Sequence, residues 1–211
     1  MQKQEQTNIR EKKKTTLEKM EQQHPYVMMM YLGVMGIFMA FTLLMLLFFN
    51  ESLIKSVSHP IKFPYAFFVS TIAIVSSSFF LEKARQQFYK DNFVKLRNNL
   101  LAVFGLGVIF LALQIVGGYE LHQNKIYLEG KTAGAYLYII SAFHMIHLVG
   151  GLIYAAVLLN QYIDKTDDAV QILITVTNPF EKIKLQLLTI YWHFMDALWI
   201  AIFLGFLIAL I

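Results

Sequence analysis

The sequence contains no cysteine. Disulfides, zinc–thiolate sites and iron–sulfur clusters are therefore outside its chemistry, while the compartment stays undecided. Charge is scarce as well. Only 15% of the 211 residues are Asp, Glu, Lys or Arg, against about 25% in an ordinary soluble domain. No internal repeat of about 20–50 residues is present, so a solenoid or propeller is excluded. The net charge of +4 is not spread as a basic patch interleaved with aromatics, which argues against nucleic acid and for a membrane. The glycine pairs Gly117–Gly118 and Gly150–Gly151 sit in apolar helical context, where close packing explains them better than phosphate binding.

What is abundant is apolar surface. Hydrophobic residues make up 57% of the chain and fall in five runs, at about residues 26–49, 64–81, 100–119, 135–159 and 187–211. A hydrocarbon core of about 30 Å requires roughly 20 apolar residues as helix. None of the five runs contains Lys or Arg. They show no strict alternation, so a barrel strand is the wrong element, and in lipid only a helix satisfies its own backbone. The second run is the shortest and carries Ser76, Ser77 and Ser78 near its end. The first run begins behind a long polar segment and exceeds the length of a signal h-region, so it is expected to remain as a span. The fold class predicted is all-α, an integral membrane bundle over residues 26–211, preceded by a polar tail over residues 1–25.

Orientation follows from the flanking cations. The segments before helix 1, between helices 2 and 3, and between helices 4 and 5 together hold 14 Lys and Arg; the other side holds four. The N-terminus is therefore expected inside and the C-terminus outside. A missed helix would scramble this parity. The tail is rich in charge and Gln and cannot bury a core, so it reads as a solvated tail or a surface helix. The loop over residues 160–186 contains Asp164, Asp167 and Asp168, a solvated acidic stretch rather than a cation site.

Helices in lipid associate through small and polar residues. The sequence predicts packing faces of Gly33, Gly36 and Ala40 on helix 1, Ser70, Ala73 and Ser77 on helix 2, and Gly105 and Ala112 on helix 3. Helix 4 presents His144, His147, Gly151 and Tyr154 as one stripe, and helix 5 presents Thr189, His193, Asp196 and Ala197. Tyrosines aside, the ionisable groups well inside the spans are His144, His147, His193 and Asp196. Asp196 lies about 13 Å into helix 5 at 1.5 Å per residue. A charged Asp there costs about 2.5–3.5 kcal/mol, so it requires a partner, a proton or water. An Asp–His pair between helices 4 and 5 is expected. Three readings stay open: a hydrogen-bonded cluster that fixes helices 4 and 5, a proton site, or a haem or metal site. The last is poorly served, because His144 and His147 share one helix and no further carboxylate accompanies them. A stand-alone transporter would show broken helices or repeats, and neither is present; a stand-alone membrane cytochrome would need its own haem.

Two stretches resemble a known family. Ala142-Phe143-His144-Met145-Ile146-His147-Leu148-Val149-Gly150-Gly151 is similar to the Phe-His-Gly-x-His-x-x-x-Gly of haem-copper oxidase subunit III. Tyr191-Trp192-His193-Phe194-Met195-Asp196-Ala197-Leu198-Trp199 is similar to that family's Tyr-Trp-His-Phe-Val-Asp-x-x-Trp. Ser70-Thr71 with Ser77-Ser78, and Phe110-Leu111-x-x-Gln114, resemble weaker family patterns. The likeness runs from about residue 32 onward and matches the five-helix bacterial form of cytochrome c oxidase subunit III. It implies a non-catalytic subunit of a proton-pumping terminal oxidase of the bacterial inner membrane. No haem or copper is expected in this chain; both are expected in partner subunits. Subunit I is the main partner implied, with subunit II, other respiratory-complex subunits and phospholipids. Subunit III of a quinol oxidase, or the nitric oxide reductase accessory subunit, is the alternative within the family. The resemblance marks His144, His147, Tyr191, Trp192, His193 and Asp196 as a structural polar cluster or a proton or lipid site. Three departures stand out: Met35 and Gln186 where the family has Glu, and Met145 where it has Gly. Loss of both acids favours the structural role.

Overall fold

The computed structural model describes residues 25–54, 64–123, 133–163, 172, 175 and 177–210. The tail and the Asp164, Asp167 and Asp168 stretch lie outside the described residues. Within them the chain forms five long helices: α1 Pro25–Ile54, α2 Tyr65–Phe88, α3 Phe93–Gln123, α4 Ala133–Ile163 and α5 Pro179–Leu210. No strand occurs among the described residues. All five are long and apolar enough to cross a membrane, as the five apolar runs predict.

The helices outrun the apolar stretches that announce them. α2 continues through Glu82, Lys83 and Arg85 to Phe88, and α3 begins at Phe93. Outside the hydrocarbon a charged side chain costs a helix nothing, so the helix persists while its backbone bonds propagate. The segment between them is consequently a tight four-residue turn. Asn92 and Lys90 donate backbone N–H to the Gln87 carbonyl, and Asp91 takes a left-handed φ of 55°, a conformation that Asp tolerates better than most side chains. The Asn92 carboxamide then caps α3, accepting from Lys95 N at 3.1 Å, which satisfies one of the orphan N–H groups at the helix start.

α2 and α3 form the most extensive pair. α3 packs on α4; α5 packs on α1, α2 and α4; and α1 rests on α4 and α5. Half of the apolar window of α5 is buried inside the chain, but only 11% of that of α1. α5 is thus the central helix and α1 the peripheral one. Leu32, Ile72, Ile115, Ile146 and Ile153 are each more than 60% exposed, as lipid-facing positions must be when lipid is the solvent.

Which small residues permit close approach differs from the expectation. Ser70, Ala73 and Ser77 of α2 are buried, and Gly151 of α4 lies under the Tyr191 ring. Gly33, Gly36 and Gly105, however, have no atom within 4 Å of a notional Cβ, and Ala40 and Ala112 are exposed. The contacts run instead through Gly107, whose Cβ would come 2.8 Å from Leu152 Cδ2 and 3.1 Å from Trp192 Cη2, and Gly117, whose Cβ would overlap the Phe67 ring. Small residues permit approach on any face, and the bulky ring across the interface decides which face is used.

Gly117→Ala should destabilise the bundle by about 1–3 kcal/mol, since the Phe67 ring has to move. Gly118→Ala, where nothing lies within 4 Å, should be neutral or slightly stabilising. Thermal unfolding of both variants in detergent measures the difference.

Candidate functional site

The polar motif of α5 sits in the central helix, and its side chains leave it in two directions. Trp192 is 1% exposed, and its Nε1–H donates to Ser77 Oγ of α2 at 2.9 Å. About two turns further, at the end of the motif, Trp199 is fully buried and donates to Thr71 Oγ1 of α2 at 3.0 Å. His193 Nδ1 lies 2.6 Å from Ser78 Oγ, also on α2. Toward α4, the Tyr191 hydroxyl donates to the His147 carbonyl at 2.8 Å.

The α2 hydroxyls suit this role for a chemical reason. Ser77 and Thr71 donate their own O–H to carbonyls of their helix, Ile74 O at 2.6 Å and Phe67 O at 2.7 Å. Their lone pairs are then left to accept, and an indole N–H can only donate. Ser70 works likewise: it donates to Phe67 O at 2.9 Å and accepts from Gln114 Nε2 of α3 at 2.9 Å. Back-bonding of this kind bends a soluble helix slightly; in lipid it turns α2 into a row of acceptors.

The six residues marked by the sequence are therefore not one cluster. Asp196 is 4% exposed, and neither carboxyl oxygen has a hydrogen-bond partner among the described residues. The expected Asp–His pair with helix 4 does not form; Ser78 of α2 is the polar side chain nearest its carboxyl. On α4 the two histidines differ. His147 is half-buried and bonds Phe143 O of its own helix at 2.7 Å. His144 is fully buried, with neither ring nitrogen hydrogen-bonded among the described residues. It is enclosed by aromatic rings: Trp199 at 5.2 Å, Phe110 at 5.8 Å and Phe41 at 6.4 Å between centroids. Phe41 also stands edge-on to His147 at 5.8 Å, so a single α1 ring covers both imidazoles. Helix separation explains the mismatch. The stripes of α4 and α5 meet where Tyr191 covers Gly151 and where the Trp199 ring faces His144, while the polar atoms of Trp192, His193 and Trp199 turn to α2.

A second polar group was not foreseen. Glu181 at the start of α5 is 5% exposed. It accepts from Tyr162 of α4 at 3.3 Å and from Lys184 Nζ at 3.1 Å, and Lys184 reaches Gln161 of α4 at 3.2 Å. An acid in the first turn of a helix is the one signal the sequence carried for it. Among the described residues, no three His, Asp or Glu side chains converge as a metal-binding group. Met35, where the resemblance leads one to expect Glu, is 56% exposed. Gln186, the other such position, lines a cavity with Arg85 and Lys182.

If the indole–hydroxyl bond fixes α5 on α2, a double-mutant cycle of Trp192→Phe and Ser77→Ala should give a coupling of about 0.6 kcal/mol, and below about 1.7 kcal/mol. Steric-trap unfolding in bilayer mimics reads this value; additivity of the two variants would show that the bond contributes nothing.

No family model matches the sequence. Curated bacterial proteins do. The chain is 26% identical over 151 residues to "Cytochrome c oxidase subunit 3" of Corynebacterium diphtheriae, covering 71% of this chain and 68% of that protein. It is 26% identical over 133 residues to "Probable cytochrome c oxidase subunit 3" of Nocardia farcinica, and 25% identical over 133 residues to the protein of that name from Mycobacterium tuberculosis. Each of these two alignments covers 63% of this chain and 61% of the relative, so the chain spans somewhat under two-thirds of their length. The chain is thus a homologue of bacterial proteins named cytochrome c oxidase subunit 3, and this homology supports its place in the haem-copper oxidase subunit III family.

Proposed function

We propose that the chain is a non-catalytic subunit III of a proton-pumping cytochrome c oxidase. In this reading it packs on the catalytic subunit I, with subunit II and other respiratory-complex subunits nearby, and stabilises subunit I during oxygen reduction. It is a multi-pass membrane protein, placed in the bacterial inner membrane with its N-terminus inside. The relatives named above support the oxidase assignment. The 14-to-4 division of Lys and Arg supports the orientation.

One observation carries the non-catalytic part. Each imidazole inside the spans is committed or enclosed: His193 to Ser78, His147 to the Phe143 carbonyl, and His144 within the Phe41, Phe110 and Trp199 rings. A haem ligand must offer its nitrogen to an open site. These side chains instead join α1, α2, α4 and α5. Haem and copper then belong to the partner subunits, and the marked residues act structurally: Tyr191, Trp192 and His193 through interhelical hydrogen bonds, His144 and His147 through ring packing against neighbouring helices, and Asp196 as a buried polar group of α5.

Purifying the tagged chain from its native membrane should bring down a large subunit bearing haem and copper, seen in the absorption spectrum and by metal analysis. The same chain expressed without other subunits should carry neither; haem bound to it alone would overturn the reading. Asp196→Asn should change the amount of complex assembled while leaving proton uptake per assembled enzyme unchanged. Normal assembly with slowed uptake would replace the structural role by a proton-handling one.

A further inference from the structure

Three buried polar side chains in the interior of the bundle are left over by the bonds described above. Gln114 of α3 is 3% exposed, Ser141 of α4 is 7% exposed and His144 of α4 is fully buried. Gln114 Oε1, Ser141 Oγ and both ring nitrogens of His144 have no hydrogen-bond partner among the described residues. Buried polar atoms are as a rule paired, so three such groups in one region require a common cause.

Register brings them together. α3 and α4 follow one another in the chain, pack side by side and run antiparallel. The Phe110 ring of α3 meets the His144 ring at 5.8 Å. Nearer the connection between the two helices, the Tyr138 hydroxyl donates to Gly118 O at 3.3 Å. Gln114 lies four residues from both Phe110 and Gly118, and Ser141 lies three residues from both Tyr138 and His144. Residues three or four apart share a helix face. The Gln114 carboxamide and the Ser141 hydroxyl therefore stand at one level of the α3–α4 interface, with His144 one turn from Ser141 on the same stripe.

The bonds around them fix which atoms are on offer. Gln114 Nε2 donates to Ser70 Oγ of α2 at 2.9 Å. Ser70 has spent its own proton on Phe67 O and can only accept, so the amide cannot be turned round and Oε1 is left as an acceptor. Ser70, Thr71, Ser76, Ser77 and Thr189 all donate to a carbonyl of their own helix. Ser141 does not, so its proton is available across the interface. A neutral imidazole adds one nitrogen that accepts and one that donates. Ser141 and Gln114 do not bond each other directly. The apolar runs of α3 and α4 contain no Lys, Arg, Asp or Glu. An uncharged set of this kind suits a small neutral guest that both donates and accepts.

We infer that one water molecule is held between α3 and α4 by Gln114, Ser141 and His144. It donates to Gln114 Oε1 and to the accepting nitrogen of His144, and it accepts from the Ser141 hydroxyl. Three bonds is about the usual number for a buried water, and the polar lining is what separates a hydrated site from a dry apolar void. The bridge continues through Gln114 to Ser70, so it links α2, α3 and α4. It rests on these three helices alone and is independent of the oxidase reading.

Electron cryomicroscopy of the full chain, in the membrane complex with which it purifies and at a resolution that shows ordered waters, tests this directly. One density should lie within hydrogen-bond distance of Gln114 Oε1, Ser141 Oγ and a ring nitrogen of His144. Solid-state NMR of the same protein, labelled with nitrogen-15 at histidine, should show magnetisation transfer between water and His144. Ser141→Val, which removes the hydroxyl and fills its space, and Gln114→Leu should each abolish that transfer. Ser76→Ala, which removes a hydroxyl already bonded to its own helix at Ile72 O, should preserve it. No density between the three side chains, a direct Ser141–Gln114 hydrogen bond in its place, or transfer that survives both variants would overturn the inference. A failed haem co-purification would overturn the oxidase reading without touching this result.

Discussion

A helix inside a bilayer has no water to satisfy its polar side chains, and α5 carries a tyrosine, a histidine, an aspartate and two tryptophans within nine residues. The rest of the bundle is arranged around that demand. The hydroxyls of Thr71, Ser77 and Ser78 meet Trp199, Trp192 and His193, and the His147 carbonyl meets Tyr191. Each such bond contributes only about 0.6 kcal/mol, because partners are also found in the separated helices. Their sum is modest. Their directionality is what counts, because an indole N–H reaches a hydroxyl in one rotation and depth of α5 and not in others.

Packing supplies the remainder, and it uses rings against absences of side chain. Phe67 occupies the space left at Gly117, and Trp192 lies over Gly107 and Gly151. Edge-to-face pairs extend this into a layer: Trp199 with Phe67 and Phe110, Phe48 with Phe206, and Phe68 with Phe203. Such pairs contribute about 0.5–1.5 kcal/mol beyond area. Since lipid tails are as apolar as leucine, shape and ring geometry decide which helices associate. α1 joins this layer chiefly through Phe41, Phe48, Phe49 and Met45, the last two packed on Gly205. That is consistent with its being the least buried span, and its Gly33, Gly36 and Ala40 face is turned outward.

Much of the fold was legible in the sequence because the bilayer imposes it. The number of spans and the absence of Lys and Arg within the five runs follow from the hydrocarbon thickness alone. The importance of the stretch from Tyr191 to Trp199 was legible too, because so many polar and aromatic groups have no reason to share a span except contact with protein. The helix ends were less so. Hydropathy stops at the edge of the hydrocarbon, while backbone hydrogen bonding carries α2 on to Phe88 and starts α3 at Phe93.

The partners of each polar group lay beyond that reading. A periodic stripe tells which residues share a face but not which neighbouring helix it meets, so His144, His147, His193 and Asp196 looked like one cluster between α4 and α5. Tertiary packing separated them, seating His193 against α2, enclosing His144 in rings from three helices, and leaving Asp196 without a hydrogen-bond partner among the described residues. It also brought Lys182 and Arg85, 97 positions apart in the chain, to one cavity. The sequence by itself determined how many helices cross and which residues must avoid lipid, since both depend on local composition. Only the tertiary structure decided which side chains meet, since that depends on the relative rotation and depth of helices far apart along the chain.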